Sequence, residues 1–324
     1  MIRLGIVLPC YNEDEIIMDT YSKIAQFMSG LIANDKVSAD SLILFVDDGS
    51  NDGTWELIKE LIQTDKQVRG IKFSRNFGQQ RALWAGVTAI AKKVDAVVTL
   101  DADLQDDYLV IDEMLEAFQQ GSDIVYGVRN CRDTDHYFKR VSADLFYYLM
   151  KKINPQMIKN HANFRLMSKR TALLLDEYAE GNLYLRGIIP LIGFPSTKVF
   201  YSRKERVAGK TKYSIHKMIH LAIDGITSFS IAPIQWTRNI GLLTFLFGVF
   251  YAVYILFQKA FNHPVPGWSS LVLSLWLLCG IQLIGISVIG EYVGKIYYEV
   301  KRRPKYIIEE STIDLNEETI RENK

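Results

Sequence analysis

Carboxylate side chains follow two apolar runs of the sequence, at the points where strands would end. Asp101 and Asp103 come directly after the run VVTL, and Gln105 stands two positions further on. Asp47 and Asp48 close the run LILFV in the same way. Mg²⁺ in proteins typically takes one or two carboxylates and completes its shell with substrate phosphates. These positions therefore predict a site for a divalent cation and a phosphorylated substrate.

Other motifs that bind phosphates or carry out hydrolysis are absent from the sequence. There is no GxGxxG, GxSxG or HExxH, so a dinucleotide fold, a serine hydrolase and a zinc protease lack support. The tripeptide Gly209-Lys210-Thr211 resembles only the end of a P-loop, because Lys204 occupies the place of its first glycine. A pair of aspartates is by itself weak evidence for a metal site, because such pairs are common on protein surfaces. The same pair closing a buried strand is much more informative.

The elements that would position these carboxylates alternate along the first two hundred residues. Short apolar runs rich in β-branched residues occur at 4–9, 41–48, 70–74, 95–103 and 123–129. Helical patterns separate them at 14–32, 54–63, 79–93 and 108–120. This alternation predicts an α/β fold with a mostly parallel sheet covered by helices on both faces. Ligands of such sheets bind at the carboxyl ends of the strands, which is where the aspartates stand.

Composition excludes several classes of protein. The 324 residues include 38 Lys and Arg against 37 Asp and Glu, so the formal charge is +1 and no overall basic field favours nucleic acid. Cys10, Cys131 and Cys279 lie far apart, which indicates neither a disulfide framework nor a zinc site. The amino terminus has acidic residues directly after its short apolar run, unlike a secretory signal. We therefore expect the chain to begin in the cytoplasm.

Two uncharged apolar stretches lie near the carboxyl end, at about 239–258 and 268–290. Each is long enough for a transmembrane helix of roughly 20 residues. Buried core helices are the alternative, although such helices are usually amphipathic. The linker contains Pro264, Pro266 and Gly267, which favours an antiparallel hairpin. Basic residues flank both outer ends, so the positive-inside rule predicts a multi-pass protein of the cell membrane with both termini in the cytoplasm.

These patterns predict four segments. Residues 1–212 form a cytoplasmic catalytic domain, and residues 213–236 form amphipathic helices at the membrane interface, with packing against the soluble domain as the alternative. Residues 237–294 hold the two transmembrane helices, and 295–324 form a basic and then polar tail whose end is disordered. A cluster of basic residues at 198–217 would attract anionic head groups.

Several pieces of the sequence, in this order, resemble the bacterial polyprenyl-phosphate glycosyltransferases of glycosyltransferase family 2, which are related to dolichol-phosphate mannose synthase. The pieces are LPCYNED, FVDDGSNDGT, KFSRNFGQQRALWAG, DAVVTLDADLQDD, DIVYGVRN, NFRLMSKR, LYLRGIIPLIGF and YSRKERVAGKTKYS, followed by the two apolar stretches. The resemblance extends to about residue 303 and implies a GT-A fold. The QxxRW signature of processive polysaccharide synthases is absent.

The resemblance also implies roles for individual residues. The base and ribose of a nucleotide would lie against Pro9, Tyr11, Glu13, Val46 and Asp48. The diphosphate and metal site would comprise Asp101, Ala102, Asp103 and Gln105, with Asp103 and Gln105 as the direct metal ligands and Asp101 as a further candidate. Phosphates of donor or acceptor would meet Arg129, Arg206 and Lys212. Candidates for the lipid phosphate are Lys139, Ser142 and Arg165, although Lys139 fits an ordinary charged helix face equally well.

The implied reaction is a direct, inverting displacement in which a lipid phosphate oxygen attacks the anomeric carbon of a UDP-sugar. Asp101, Asp103, Arg129 and Asn163 are the predicted catalytic residues. The implied acceptor is undecaprenyl phosphate, the metal is Mg²⁺ or Mn²⁺, and UDP-glucose is the preferred donor, with GlcNAc, galactose or a modified pentose as alternatives. The product would serve the modification of a surface glycan. Membrane lipids and further copies of the chain, up to a tetramer, are the other implied partners.

One residue departs from the pattern of these relatives, which usually carry Asp where this chain has Asn163. An amide cannot act as a general base, but a phosphate monoester with a second pKa of about 6 is already largely ionised at neutral pH. We therefore expect activity without a base, with Asn163 orienting the acceptor. The alternative from another class is an inactive, membrane-tethered nucleotide-binding scaffold. A flippase is less well supported, because the two apolar stretches contain no ionisable groups.

Overall fold

The computed structural model describes residues 1–130, 161–178, 185–202, 232–260, 267–301 and 303–313. Contacts divide the chain into two compact units, one within Met1–Lys212 and Arg303–Lys324 and the other within Tyr213–Arg302. The described part of the first unit contains a sheet of eight strands. These are β1 (Leu4–Cys10), β2 (Leu42–Asp47), β3 (Val68–Phe73), β4 (Ala96–Thr99), β5 (Ile124–Arg129), β6 (His161–Ser168), β7 (Ser196–Tyr201) and β8 (Ile308–Ser311).

The order of the strands across the sheet is β7-β5-β6-β4-β1-β2-β3-β8. Strands β4, β1, β2 and β3 are parallel to one another, and all seven residues of β1 are buried, as expected of a strand covered on both faces. The chain runs outward from β1 through β2 to β3 and then returns to the other side of β1 as β4. The carboxyl ends of β1 and β4 therefore flank a topological switch point, where such sheets bind ligands.

Helices cover both faces of this sheet. The described helices of the first unit are α1 (Ile17–Ala33), α2 (Thr54–Thr64), α3 (Gln79–Ile90), α4 (Ile111–Gln119), α5 (Lys169–Leu175) and α6 (Leu185–Leu191). Helix α3 lies directly on the sheet, because a Cβ atom on Gly86 would come within 2.4 Å of the Val7 side chain and 2.9 Å of Val46. This close approach fixes the position of α3 relative to β1 and β2.

The predicted α/β class with a mostly parallel sheet is confirmed. The five runs read as strands correspond to β1 to β5, and the four helical patterns correspond to α1 to α4. The sheet also contains antiparallel pairs that the sequence pattern does not reveal. Strand β6 runs antiparallel between β4 and β5, and β8 runs antiparallel to β3.

The carboxyl-terminal segment returns to the first unit, which differs from the tail predicted at 295–324. Strand β8 lies at the edge of the sheet, and the Thr312 hydroxyl accepts a hydrogen bond from the backbone N–H of Gly70 at 2.9 Å. The Tyr306 ring stacks on Phe73 with the ring centroids 5.0 Å apart. Lys305 donates to the carbonyl of Tyr178 at 2.6 Å. Residues 303–313 are therefore part of the sheet domain, and residues 314–324 lie outside the described part.

The described part of the second unit consists of two long helices, α7 (Ala232–Ala260) and α8 (Trp268–Val300). Both apolar stretches predicted from the sequence are thus helical. Large apolar side chains along them are exposed, as at Phe250 (74% exposed) and Leu283 (67% exposed). Among the described residues one segment, Leu278–Val300, is long and apolar enough to cross a membrane. The transmembrane hairpin stays a prediction, and most of the predicted interface segment 213–236 lies outside the described residues.

Candidate active site

The turn after β2 holds the neighbouring loop through a buried carboxylate. Asp48 is 2% exposed and accepts hydrogen bonds from the backbone N–H groups of Phe77 at 2.7 Å and Gly78 at 2.8 Å. Burial raises the pKa of Asp48, and the two N–H groups oppose that shift. Gly78 has a φ of 98°, a conformation that L side chains rarely adopt. Asp48 therefore fixes the loop from which α3 starts.

Gly49 allows the turn and this loop to pack together. Its φ is 69°, and a Cβ atom there would lie 2.3 Å from the carbonyl carbon of Arg75. No larger residue fits without moving the backbone of the loop. On the other side of the turn, Asp47 is fully buried and accepts from the backbone N–H of Ser50 at 3.1 Å. Burial also raises the pKa of Asp47.

Asp101 stands at the centre of the site, just beyond β4. Its carboxylate accepts a hydrogen bond from the side-chain amide of Gln79, the first residue of α3, at 2.8 Å. Burial, together with the nearby carboxylates of Asp106 and Asp103, raises the pKa of Asp101 to about 6. Several carboxylates crowded in one place repel each other, and a cation would relieve that repulsion.

A tight turn brings the predicted metal ligands together. Leu104 has a φ of 45°, unusual for a residue with a side chain, and its N–H donates to the carbonyl of Asp101 at 3.2 Å. The backbone N–H of Gln105 donates to the Asp103 carboxylate at 3.3 Å. The described residues contain no group of three His, Cys, Asp or Glu side chains that forms a metal site by itself. Two carboxylates and an amide oxygen nevertheless fit an ion that takes its other ligands from a substrate diphosphate.

The described part of the site also contains a cleft of about 320 Å³ above β2 and β3. Its lining is polar and includes the partly exposed ring of Tyr11, and the full set is Tyr11, Gly49, Ser50, Asn51, Lys72, Phe73, Ser74, Arg75, Asn76 and Glu309. Glu309 belongs to β8 and pairs with Lys72 at 3.2 Å. The carboxyl-terminal strand thus contributes a residue to this cleft.

Three of the residues predicted to hold the nucleotide are part of the protein interior. Pro9 and Val46 are paired in the register of β1 and β2, and both are buried. Ala102 is 4% exposed, and its carbonyl accepts from the Thr20 hydroxyl at 2.6 Å. The backbone N–H of Glu13 donates to the Thr54 hydroxyl at 2.9 Å.

Arg129 is held by a buried acid. Its guanidinium donates through Nη2 to the carboxylate of Asp106 at 2.9 Å and through Nε to the hydroxyl of Tyr201 at 3.3 Å. Asp106 is 1% exposed. Burial and the nearby carboxylate of Asp106 raise the pKa of Tyr201 above its usual range. The ends of β5 and β7 are thereby tied to the turn that carries Asp103 and Gln105. The contact of Arg129 with a phosphate stays a prediction.

Asn163, on β6, lies on the far side of β4 from the cleft above β2 and β3. Its Oδ1 accepts hydrogen bonds from the side-chain amide of Gln80 at 3.3 Å and from Nε of Arg186 at 3.4 Å. Hydrogen bonding with Asn163 and the positive charge of Arg186 both lower the pKa of Asp101, although burial outweighs them. The structure therefore brings together Asn163 and Asp101, which are 62 positions apart in the sequence.

Arg186 and the two glutamines are the members of this site that sequence reasoning missed. Gln79 and Gln80 are present in the piece KFSRNFGQQRALWAG, and Arg186 is the one charged residue of LYLRGIIPLIGF. The available signal was a single cation in an otherwise apolar segment. Nothing in the local sequence indicates that this segment packs beside Asp101.

The prediction that Arg165 binds the lipid phosphate is corrected by its burial. The side chain is 1% exposed and donates to the carbonyl oxygens of Asn163 at 3.3 Å and Leu185 at 3.4 Å. Arg165 therefore ties β6 to α6 from within the core, because its position in the strand points the side chain inward. The remaining predicted residues, Lys139, Ser142, Arg206 and Lys212, lie outside the described residues.

The fold and the carboxylate turn at its switch point define an α/β protein whose ligand site lies at the carboxyl ends of the strands. Comparison with known families narrows this class, because the family described as Glycosyl transferase family 2 matches residues 5–178. The chain belongs to this family. It is a glycosyltransferase with the predicted GT-A fold.

Full-length relatives agree with this assignment. The chain is 48% identical to the "Uncharacterized glycosyltransferase YkoT" of Bacillus subtilis, over 98% of this chain and 93% of that protein. It is 40% identical to the "SfII prophage-derived bactoprenol glucosyl transferase" of Shigella flexneri, over 95% of this chain and 98% of that protein. Among solved structures, a distant likeness is the glucosyl-3-phosphoglycerate synthase of Mycobacterium tuberculosis with Mn²⁺, UDP-Glc and phosphoglyceric acid. It has 16% identity and a TM-score of 0.46, over 70% of this chain and 78% of that one.

Proposed function

We propose that this protein transfers a single sugar from a UDP-sugar to undecaprenyl phosphate at the cytoplasmic face of the cell membrane, with UDP-glucose as the donor. The observation that supports the proposal is the tight turn from Asp101 to Gln105 at the switch point of the sheet, whose first carboxylate, Asp101, interacts with Asn163. The names of the relatives support the acceptor, because bactoprenol glucosyl transferases match nearly the whole chain at about 40% identity.

The donor would occupy the cleft above β2 and β3, with its diphosphate directed toward Asp103. Asp103 and Gln105 would hold Mg²⁺ or Mn²⁺ directly, with Asp101 beside them. When bound, such an ion offsets the negative charge that develops on departing UDP. Asp48 would act on the donor through the loop at 77–78, since both of its oxygens accept backbone hydrogen bonds there.

The acceptor phosphate would approach from the side of Asn163. The Oδ1 atom of Asn163 already accepts two hydrogen bonds, and an amide takes up no proton at neutral pH. The phosphate of a polyprenyl monoester is itself largely ionised, with a second pKa of about 6. Asn163 would therefore position groups around the acceptor, and the nucleophile needs no base.

Membrane attachment would come from the second unit. The segment Leu278–Val300 supports one transmembrane crossing, and α7 would supply the other in the proposed multi-pass arrangement. The proposed segments are the catalytic domain at 1–212, the interface helices at 213–236, the transmembrane pair at 237–294 and a cytoplasmic segment at 295–324 that includes β8. Arg206 and Lys212 would reach phosphates, and a homo-oligomer in the membrane completes the proposal.

A transfer assay tests this function. Purified protein in detergent is incubated with undecaprenyl phosphate, Mn²⁺ or Mg²⁺ and a panel of labelled UDP-sugars, and the label in the lipid phase is counted. We expect metal-dependent transfer from UDP-glucose, lost by about 100-fold or more in Asp103→Asn. Asp112→Asn is the matched control, because Asp112 lies on α4 and pairs with Lys36 at 2.5 Å, away from the site.

Two results would contradict the proposal. One is the absence of transfer from every UDP-sugar by protein that still binds UDP, which is the behaviour of a scaffold. The other is an Asp103→Asn variant that transfers at the rate of the Asp112→Asn control. Transfer from UDP-GlcNAc, UDP-galactose or a UDP-pentose in place of UDP-glucose would keep the reaction and correct the donor.

A further inference from the structure

Arg186 is a cation at the edge of the site, close enough to Asp101 for its charge to act on that carboxylate. It is the second residue of α6 and is partly exposed, and its Nε donates to Oδ1 of Asn163 at 3.4 Å. Within the described ranges Arg186 forms no ion pair, whereas Arg3, Arg129 and Arg170 each pair with an aspartate. Among the described residues the guanidinium is therefore oriented by a neutral amide, and no ion pair formed by them neutralises its charge.

Gln80, on α3, holds the start of α6 and thereby the position of Arg186. Gln80 accepts a hydrogen bond from the backbone N–H of Leu185 at 3.2 Å, and its side-chain amide donates to Oδ1 of Asn163 at 3.3 Å. The first turn of α6 is thus attached both to α3 and to β6. An arginine held in this way loses little conformational entropy when it binds an anion, since its planar fork is already placed.

The order of the strands separates Arg186 from the nucleotide. The cleft lined by Tyr11, Ser50 and Lys72 lies over the ends of β1, β2 and β3. Asn163 and Arg186 lie on the other side of β4, at β6, so the Asp101 carboxylate stands between the two regions. Neighbouring strands are about 4.8 Å apart, so β6 is two strand spacings, roughly 10 Å, from β1. That separation leaves room for a second substrate on the β6 side of Asp101.

A second anionic substrate faces a particular difficulty at this place. Asp101, Asp103 and Asp106 stand within six positions of one another in the tight turn that follows β4. An approaching phosphate dianion would be repelled by them unless a cation stood on its own side. A guanidinium group can bind two phosphate oxygens at once through two parallel N–H donors. Such charge-assisted hydrogen bonds are stronger than those between neutral groups.

We propose that Arg186 binds the phosphate of the acceptor and holds its attacking oxygen beside Asp101. This inference rests on the proposed function, because it assigns the acceptor side of that same site. The Nε atom stays on Asn163 while the Nη atoms take the phosphate, so Asn163 and Gln80 act as positioning residues for Arg186. Arg186 makes no contact with the UDP moiety.

Steady-state kinetics of Arg186→Gln and Arg186→Lys test the proposal. Removing the charge should raise the KM for undecaprenyl phosphate by about 10- to 100-fold, the equivalent of one charged hydrogen bond, while the KM for the UDP-sugar changes by less than about threefold. Arg186→Lys keeps the charge and should recover part of the loss. Arg170→Gln is the matched control, since Arg170 is an exposed arginine that pairs with Asp123 away from the site. Thermal unfolding shows whether each variant is folded.

The outcomes separate this proposal from the function it rests on. An acceptor KM within about twofold of the wild type in Arg186→Gln, or an equal rise in the donor KM, overturns the role of Arg186. If the wild type transfers no sugar, binding of undecaprenyl phosphate to the UDP-loaded protein is measured directly. Binding that is lost in Arg186→Gln keeps the phosphate site and rejects the transfer reaction, whereas binding that is equal in both proteins rejects the site.

Discussion

Replacing Asp48 with Asn should impair activity far more than stability. The carboxylate accepts backbone hydrogen bonds from Phe77 and Gly78 at 2.7 and 2.8 Å, and an amide oxygen can replace only one of them. The other N–H would face the NH₂ group and remain unpaired. One lost charge-assisted hydrogen bond corresponds to about 1.5–3 kcal/mol, which is roughly 10- to 150-fold in an equilibrium.

The effect on folding is smaller because two contributions oppose each other. Burial raises the pKa of Asp48 in the folded protein. Ionisation of this carboxyl group therefore lowers the free energy of unfolding as the pH rises through that pKa. A neutral amide avoids the cost of burying the charge. We therefore expect a loss of only about 1 kcal/mol in the free energy of unfolding. The loop at 77–78 would lose its fixed position, and Gln79 and Gln80, which follow it, would no longer be held beside Asp101 and Asn163.

Initial rates and thermal unfolding of Asp48→Asn measure the two effects separately. Asp95→Asn is the control, because Asp95 also accepts a backbone N–H, that of Arg3 at 2.9 Å, but precedes β4 at the opposite end of the sheet. Arg3 lowers the pKa of Asp95, so this substitution should cost about 1 kcal/mol of stability at neutral pH and leave kcat/KM unchanged. Asp48→Asn should lower kcat/KM by about tenfold or more. Wild-type kcat/KM in Asp48→Asn would refute this account of the loop.

Two further substitutions examine other parts of the structure. Tyr306→Ala should lower the free energy of unfolding by about 3 kcal/mol in thermal or denaturant unfolding, since the buried ring stacks on Phe73, while Tyr306→Phe stays within about 1 kcal/mol. Equal stability of both variants would mean that the carboxyl-terminal segment is not joined to the sheet. Asn163→Asp should raise the acceptor KM by about tenfold, because a carboxylate there would pair with Arg186, and should leave kcat within about threefold. A large gain in kcat would show that a base limits the reaction.

The sequence predicted the parts of the fold that depend on local patterns. The alternation of apolar runs and helical periods is a property of short segments, and strands β1 to β5 with helices α1 to α4 follow it closely. The aspartates at the ends of β2 and β4 could be assigned to one edge for the same reason. Strand β8 could not be predicted, because it is a short polar segment that becomes a strand only by pairing with β3, more than 230 residues earlier.

In the candidate site too, local sequence predicted some features, and others arise only from the folding of the chain. The residue types and spacing of Asp101, Asp103 and Gln105 predicted a metal and phosphate site, but the positive φ of Leu104 that turns them together is a property of the folded backbone. Arg165 and Arg186 look equivalent in the sequence, yet one is buried in β6 and the other is partly exposed beside Asp101. Which arginine faces the site depends on how β6 and α6 pack, and no local pattern specifies that packing.

The mass of the lipid product is the most direct test of the central claim. After incubation with undecaprenyl phosphate, UDP-glucose and Mn²⁺, the lipid fraction is extracted and analysed by mass spectrometry. The proposed function predicts one new species, the polyprenyl phosphate carrying a single hexose, absent when Asp103→Asn replaces the wild type. Unchanged lipid together with free glucose and UDP, or lipid carrying a chain of sugars, would contradict it.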